Sequence, residues 1–291
     1  MEKLNDAGFK RYFEDKVRTT VRTQRLFSQK DRIAVAASGG KDSTALLFVL
    51  HKLGFELEAL TIDPGIGSYS RDNLVRLKAF CKKKGIPLHI LSYKTEFGKT
   101  LPQMLLALKR KGVDRSPCNV CGVLKRHLLN SYARKQGFSV LATGHNLDNE
   151  SQAFVMNVFR NDLKLALRQG PVSGTAQSGR FVKRVKPLFY MAEKEVIRYA
   201  KLQKLPVKYG ICPLAGNAYR RKHIRILDKI EKMNPHLKYN IIRFQEGMRR
   251  VCETPKESIE ECPGCGEASS KGLCKACQIL EEIGKMHPKS Y

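Results

Sequence analysis

Two groups of residues in this 291-residue chain are spaced for chemistry. The first is Ser38-Gly39-Gly40-Lys41-Asp42-Ser43, which follows the apolar run Arg32 to Ala37 and opens a helical pattern from Asp42 to Leu53. A glycine turn between strand and helix presents backbone N–H groups and the positive end of the helix dipole to phosphate. The paired glycines allow close backbone approach, and Lys41 adds charge. The GxxxxGKS/T pattern of a Walker A loop is absent, so ordinary γ-phosphate hydrolysis is not the expected chemistry. The second group is sulfur. Pro117-Cys118-Asn119-Val120-Cys121-Gly122 opens a predicted helix, where the dipole stabilises thiolate and the i, i+3 spacing turns both sulfurs to one side. Cys212, in Gly210-Ile211-Cys212-Pro213, is the third candidate ligand. Three thiolates can hold three irons of a [4Fe-4S] cluster and leave the fourth open to bind a sulfur. Two alternatives stay open: a persulfide on one cysteine resolved by another, and a structural Zn²⁺, for which no fourth ligand is evident.

A second sulfur pattern, Cys262-x2-Cys265-x8-Cys274-x2-Cys277, supplies the tetrahedral four-sulfur shell of structural Zn²⁺, with rubredoxin-like iron as the alternative. Gly264, Gly266 and Gly272 ease its turns. Cys81 and Cys252 have no partner at ligand spacing and read as structural thiols. The charged start, MEKLNDAGFKRYFEDK, is unlike a secretory signal, and no apolar run is long enough to span a bilayer. The nine cysteines are therefore expected to be metal ligands or reactive thiols in a cytoplasmic protein rather than a disulfide framework.

Charge bears on the partner. Fifty-four Lys and Arg against 27 Asp and Glu leave a net +27, far beyond what solubility requires. Basic runs recur at Lys82 to Lys84, Lys109 to Lys111, Arg180 to Lys186, Arg220 to His223 and Arg249 to Arg250. Charge spread through the chain suits a folded RNA lying across a broad face. An acidic membrane surface is the alternative, and charge alone does not separate RNA from DNA.

The elements that must position these residues follow from periodicity. Phe9, Tyr12, Phe13 and Val17 predict an amphipathic helix from Asn5 to about Thr23. Strand-like Arg32 to Ala37, Glu56 to Ile62, Pro87 to Tyr93 and Phe138 to Gly144 alternate with helical Asp42 to Leu53, Arg71 to Lys84 and Val123 to Gln136. This alternation predicts an α/β fold, a parallel sheet with helices on both faces. Thr61-Ile62-Asp63 and Gly144-His145-Asn146 then stand at strand carboxyl ends, which line ligand crevices. Taken alone, Asp63 or His145 is more often a loop cap or turn residue. A helix from Asn149 to about Asp162 leads to a Gly-rich stretch, Gly170 to Gly179, and a basic strand, Arg180 to Phe189. Helices follow over Glu193 to Lys204, Tyr219 to Met233 and Lys238 to Val251. Cys262 to Cys277 has too few large apolar residues for a core of its own and should be held by metal. The expected domains are an N-terminal helical segment (1–28), a catalytic domain with helical extensions (29–255), and a small C-terminal zinc ribbon with its tail (256–291).

The loop Ser38 to Ser43 resembles the PP-loop of the N-type ATP pyrophosphatases, which cleave ATP between the α and β phosphates and transfer AMP to an oxygen. Over about Tyr12 to Cys277 the sequence resembles, more narrowly, the tRNA 2-thiolation enzymes of the archaeal and eukaryotic thiouridine group. The ordered blocks SGGKDS, PCxxCG, GHNLD, an isolated CP and a terminal CxxC pair stand here at Ser38 to Ser43, Pro117 to Gly122, Gly144 to Asp148, Cys212-Pro213 and Cys262 to Cys277. The resemblance implies ATP contacts from Ala36, Ala37, Ser38, Gly39, Gly40, Lys41, Asp42, Ser43, Ile62, Asp63, Gly144 and Asn146. It implies cluster ligation by Cys118, Cys121 and Cys212, Zn²⁺ at Cys262, Cys265, Cys274 and Cys277, and catalytic roles for Lys41, Lys125 and Asp148.

The reaction so implied uses ATP and Mg²⁺ to adenylate the C2 oxygen of a uridine in tRNA, which sulfur then replaces. The base must leave its stack to be reached, which favours single-stranded loops, and the resemblance implies the wobble uridine of the anticodon as the target. The sulfur donor is sulfide or a ubiquitin-like sulfur carrier protein, and a homodimer is possible within the group. These families usually begin with a further zinc finger, whereas no cysteine precedes Cys81 here. Two other functions fit parts of the pattern. An adenylating ligase of the lysidine or GMP synthetase type would not need Cys118, Cys121 and Cys212, and a zinc-ribbon RNA-binding protein would not need an intact SGGKDS.

Overall fold

The computed structural model describes residues 4–173, 179–216, 219–252 and 259–284, with backbone alone for 219–222. The centre of the Gly-rich stretch, the basic side chains of 220–222 and the expected boundary at 255/256 lie outside the described residues. Strands β1 (Ile33–Ala36), β2 (Leu57–Asp63), β3 (Leu88–Ser92), β4 (Val140–Thr143), β5 (Val172–Ser173) and β6 (Lys183–Val185) form one sheet in the order β3-β2-β1-β4-β6-β5. Every neighbouring pair is parallel except β5 against β6. The helices are α1 (Asp6–Thr23), α2 (Lys41–Lys52), α3 (Gly67–Lys84), α4 (Tyr93–Phe97), α5 (Leu101–Arg110), α6 (Pro117–Lys135), α7 (Leu147–Phe159), α8 (Leu163–Arg168), α9 (Glu193–Leu202), α10 (Tyr219–Met233), α11 (Leu237–Val251) and α12 (Lys275–Glu282).

Both faces of the sheet are covered, as a parallel sheet requires. On one face Ile33, Val35, Ala59, Val140 and Val185 pack against α1, α2, α3 and α9. Helix α1 joins through Phe9, Phe13, Val17 and Val21, four turns of one stripe, and the Phe13 ring stacks on Tyr199 at 4.0 Å. The alternate residues Ala34 and Leu141 face α6 through Ala133. Period-two alternation thus splits the core between the two faces.

Three short helices, α4, α5 and α8, are additions to the expected pattern. Signals for α5 were present: Thr100 and Gln103 form a capping box, and Leu101, Met104 and Leu108 are its buried face. The expected strand Arg180 to Phe189 shrinks to Lys183–Val185 for local reasons. The Val182 amide donates to Asn130 Oδ1 (3.0 Å), Arg180 reaches across to Gly266 and Glu261, and Pro187 has no N–H for a ladder. Helix α7 begins at Leu147 rather than Asn149 because Asn146 is its cap. Lys82 to Lys84 and Lys109 and Arg110 close α3 and α5, where they also offset the negative end of each helix dipole.

Beyond β4 and β6, α7, α8, α10 and α11 form a helical layer, with Leu147, Phe189, Ala192 and Ile242 sharing one apolar cluster. The ribbon holds a two-stranded sheet, β7 (Glu260–Glu261) and β8 (Ala268–Ser269), followed by α12. Its Ile279, Leu280 and Ile283 lie in the same core as Leu124 and Leu128 of α6. No described helix is long and apolar enough to cross a membrane.

Candidate active site

Strand β1 delivers the loop to the carboxyl end of the sheet. The chain leaves the ladder after Ala37, whose amide still bonds Leu60 (2.9 Å). Gly39 has φ +75°, and a Cβ there would meet the Asn73 carbonyl at 2.7 Å, so α3 presses directly on the loop. On the other side a Cβ at Gly144 would lie 2.8 Å from the Ser43 nitrogen. Glycine is therefore required at both positions, one by dihedral and approach, the other by approach alone. Gly40 caps α2 without a side-chain bond, which leaves the first-turn N–H groups for an anion. Ser43 Oγ accepts from the Ser38 amide (3.1 Å) and donates to the Gly40 carbonyl (3.2 Å), which fixes the turn.

The loop's charges are already engaged. Lys41 Nζ pairs with Asp42 (3.0 Å) and Glu193 (2.6 Å). Burial works to lower the Lys41 pKa, but the two carboxylates outweigh it and hold the ammonium above its ordinary value. Burial raises the Asp42 carboxyl against the lowering by Lys41. Asn146, fully enclosed, donates to Asp42 Oδ1 (3.0 Å) and accepts from the Asn149 amide (3.0 Å), so it braces the loop from behind.

A cavity of about 310 Å³ opens beside the loop, at the small end of the range for ligand sites. One wall holds Ser38, Thr61, Ile62 and Asp63; the other holds Cys118, Cys121, Gly122, Lys125 and Cys212. The two chemistries read separately from the sequence thus face one space. Asp63 also caps its own turn, accepting from the Gly65 amide (2.8 Å), so it is both loop cap and wall. Helix α6 starts at Pro117 with Ser116 as cap, which sets Cys118 and Cys121 in its first turns. The Tyr93 hydroxyl donates to the Cys121 carbonyl (2.7 Å) and holds this end of the helix. Cys212 comes in on a 3-10 turn, Pro213–Ala215, that rests on α6. Cys118 is exposed, and Cys121 and Cys212 are half-buried.

Tyr69, Ser70 and Asn73 of α3 complete the wall, and no local pattern marks them. Burial, followed by Cys212, raises the Tyr69 pKa. Of the expected loop contacts, Ser38 lines the cavity; Lys41 is turned toward Glu193, and Gly144 and Asn146 stand behind the loop.

Asp148 lies elsewhere. Buried in the first turn of α7, it accepts from Lys238 Nζ (2.5 Å) and the Glu193 amide (2.6 Å), beside a second cavity of about 220 Å³. A buried carboxylate requires such partners, and α11 provides the cation. Asp228 (3.3 Å) and Glu231 (2.7 Å) of α10 share it. Burial works to lower the Lys238 pKa, but the carboxylates, Asp148 foremost, hold it well above the lysine value. Lys125 and Asp148 therefore stand on different cavities.

The ribbon cysteines are arranged differently. All four are buried, with sulfurs within 4.8 Å of one another, and the Cys274 amide bonds Cys262 Sγ (3.2 Å). Packed this tightly, the thiols titrate apart: the bond from Cys265 holds Cys274 as the thiolate, and that pairing pushes Cys265 up. A divalent cation relieves this conflict, so the donor set fits Zn²⁺. Among the described residues Cys118, Cys121 and Cys212 do not close up in this way and line the cavity instead. Cys81 is buried in the core, its thiol pushed up to about 11 by that burial, as a structural thiol should be.

Comparison with known proteins agrees with this geometry. A family described as PP-loop domain matches residues 10–228. The tRNA-5-methyluridine(54) 2-sulfurtransferase of Pyrococcus horikoshii is 35% identical over 278 residues, 95% of this chain and 87% of that protein. Cytoplasmic tRNA 2-thiolation protein 1 of Aspergillus niger is 35% identical over 296 residues, 99% of this chain and 85% of that one. Among solved structures, the U34-tRNA thiolase NcsA from Methanococcus maripaludis, with its [4Fe-4S] cluster, superposes with a TM-score of 0.84 at 29% identity, covering 98% of this chain and 91% of that one. A phosphate loop and a three-cysteine wall on one cavity, in a chain with these relatives, identify it as a member of the tRNA 2-thiolation group of the PP-loop family.

Proposed function

We propose that the protein is an ATP-dependent tRNA sulfurtransferase that makes 2-thiouridine at the anticodon wobble position. The observation that carries the reading is the cavity shared by Ser38, Ile62 and Asp63 with Cys118, Cys121, Cys212 and Lys125. ATP and Mg²⁺ bind at the loop, where the α2 N–H groups and Lys41 neutralise phosphate charge. The uridine C2 oxygen attacks the α-phosphate, pyrophosphate leaves, and the base becomes an adenylate. Cys118, Cys121 and Cys212 would hold a [4Fe-4S] cluster, which would supply the sulfur that displaces AMP. Lys125, on the same wall, steadies charge on the base. Asp148, tied to Lys238 and Glu193, acts by holding α7 and α9 against the loop. Cys262, Cys265, Cys274 and Cys277 would hold Zn²⁺, which would steady the ribbon against α6.

The wobble position is supported by the U34-tRNA thiolase likeness, and a T-loop uridine by the 35% identity to the position-54 enzyme. The cytoplasm, sulfide or a ubiquitin-like carrier as donor, and a second copy of the chain complete the reading. Anaerobic reconstitution, iron and sulfide quantification and mass spectrometry of nucleosides from treated tRNA test it. Thiolation by iron-free protein would overturn the cluster assignment, and ATP turnover to AMP without thiolation would favour a ligase.

A further inference from the structure

A base that is first adenylated and then takes sulfur must lie where both the loop and the cysteines reach it. Helix α3 spans that gap. At one end of a single turn Asn73 stands against the loop, its carbonyl 2.7 Å and its Cβ 3.2 Å from a Cβ added at Gly39. At the other end Tyr69 packs in the apolar cluster that contains Cys121 and Cys212. Both side chains line the cavity. Residues four apart on a helix stand about 6 Å from each other on one face, which is the scale of a pyrimidine ring.

The polar neighbours of this pair are committed to turns. Ser70 accepts from the Ile66 amide (2.9 Å), and Asp63 across the cavity accepts from the Gly65 amide (2.8 Å). Asn73 is buried, and its side-chain amide bonds the Tyr69 hydroxyl. Burial raises the Tyr69 pKa while this bond works to lower it, so the amide is the donor. A primary amide has two N–H donors and a carbonyl acceptor, so one N–H and the carbonyl remain for a ligand. That pair matches one edge of uracil: the carbonyl accepts from N3–H, the N–H donates to O4, and O2, the oxygen to be adenylated, stays free. Cytosine presents the reverse, an acceptor at N3 and a donor at N4, and opposes the same amide at both atoms.

We propose that Asn73 reads the N3–O4 edge of the base in the cavity, held the right way round by Tyr69, and so makes the site select uridine over cytidine. The inference rests on the tRNA-thiolation reading. The adenine of ATP is the other base that bears on this amide, and the placement favours the RNA base. Tyr69 and Asn73 share the cavity with Cys121, Lys125 and Cys212, the residues assigned to the sulfur step, whereas ATP is expected against the loop, Ile62 and Asp63. Tyr69 is a positioning residue, because an amide free to turn over offers its N–H to N3 and its carbonyl to the N4 amine of cytosine.

The test uses full-length protein prepared anaerobically and tRNA anticodon and T stem-loops carrying uridine or cytidine at the target position, with thiolated nucleosides read by mass spectrometry. The wild type should prefer uridine by at least about a hundredfold in kcat/KM, since a site built to bond a substrate N–H rejects the analogue that lacks it. Asn73→Ala should lose about thirtyfold on uridine and most of the preference with it. Asn73→Asp keeps the shape, sets an acceptor against the N4 amine of cytosine, and should move the preference toward cytidine by about a hundredfold relative to wild type. Tyr69→Phe should relax the preference about tenfold and leave the uridine rate within about twofold, a split that lost packing alone does not produce. ATP affinity and bound iron should stay at wild-type levels in Asn73→Ala and Tyr69→Phe.

A wild type that thiolates uridine and cytidine alike, or a folded Asn73→Ala that keeps the wild-type preference, overturns the inference and leaves the thiolation reading intact. Loss of ATP affinity in Asn73→Ala with the preference unchanged also overturns it and moves Asn73 to the ATP site. If Asn73→Ala does not fold, Asn73→Asp decides: a preference that does not move toward cytidine overturns the inference. A wild-type protein that thiolates neither base overturns the tRNA-thiolation reading, and this inference with it.

Discussion

The two cysteine groups hang on the same helix and differ in nearly everything else. The ribbon four are buried, mutually close and joined to an apolar core, whereas Cys118, Cys121 and Cys212 are exposed or half-buried around a cavity. Enclosure by four protein ligands is how a structural metal is held, and three ligands on an open space are how a reactive one is held. The comparison teaches that accessibility, more than cysteine count, separates architecture from chemistry here.

The largest effect that can break this contrast is expected from Cys212→Ala. It should reduce tRNA thiolation to background in nucleoside mass spectrometry while one zinc per chain remains by elemental analysis and the melting temperature barely moves. Retained thiolation would remove Cys212 from the reacting site. Cys262→Ala combined with Cys277→Ala should do the reverse in stability, abolishing bound zinc and costing at least about 5 kcal/mol in chemical denaturation. A small loss would mean that the ribbon's packing on α6 needs no metal.

A third test concerns charge. Lys238→Met leaves Asp148 buried without its cation and should destabilise by about 3 kcal/mol, with Asp148→Asn partly restoring the double variant. Additive effects in that cycle would dismiss the pair. The smallest effect belongs to Arg115 and Glu282, the bidentate pair that ties α12 to the segment before α6. Arg115 holds the Glu282 carboxyl below its usual range. Its contribution is therefore present above the unfolded value, near pH 4.3, and lost as pH falls through the lower folded value. Both side chains are partly exposed, so less than about 1 kcal/mol is expected. Glu282→Gln should flatten the acid limb of stability by that amount, and an unchanged limb would show that the pair contributes nothing.

Much of this arrangement was legible in the sequence because its signals are local. The strand before Ser38, the helix after it, the i, i+3 cysteines and the double CxxC each declare themselves within about a dozen residues. Asn146 was legible as part of a motif, yet its position as helix cap and brace for Asp42 depended on where α7 starts. Lys41 with Glu193, Asp148 with Lys238, and Tyr69 beside Cys212 join residues remote in sequence, and no spacing rule finds such pairs. The short helices escaped for another reason: α4 and α8, of five and six residues, complete too few turns to display a period.

Helix α6 bears Cys118 and Cys121 at its start, and farther along it bears Leu124 and Leu128, which share a core with the ribbon, and His127, which reaches Cys274. One helix thus couples the two cysteine groups. If both groups are loaded as proposed, the consequence is an order of assembly: zinc would settle first, because the helix that presents two of the cavity cysteines packs on the ribbon. A group held by Cys118, Cys121 and Cys212 could then be lost and reloaded on a chain that stays folded.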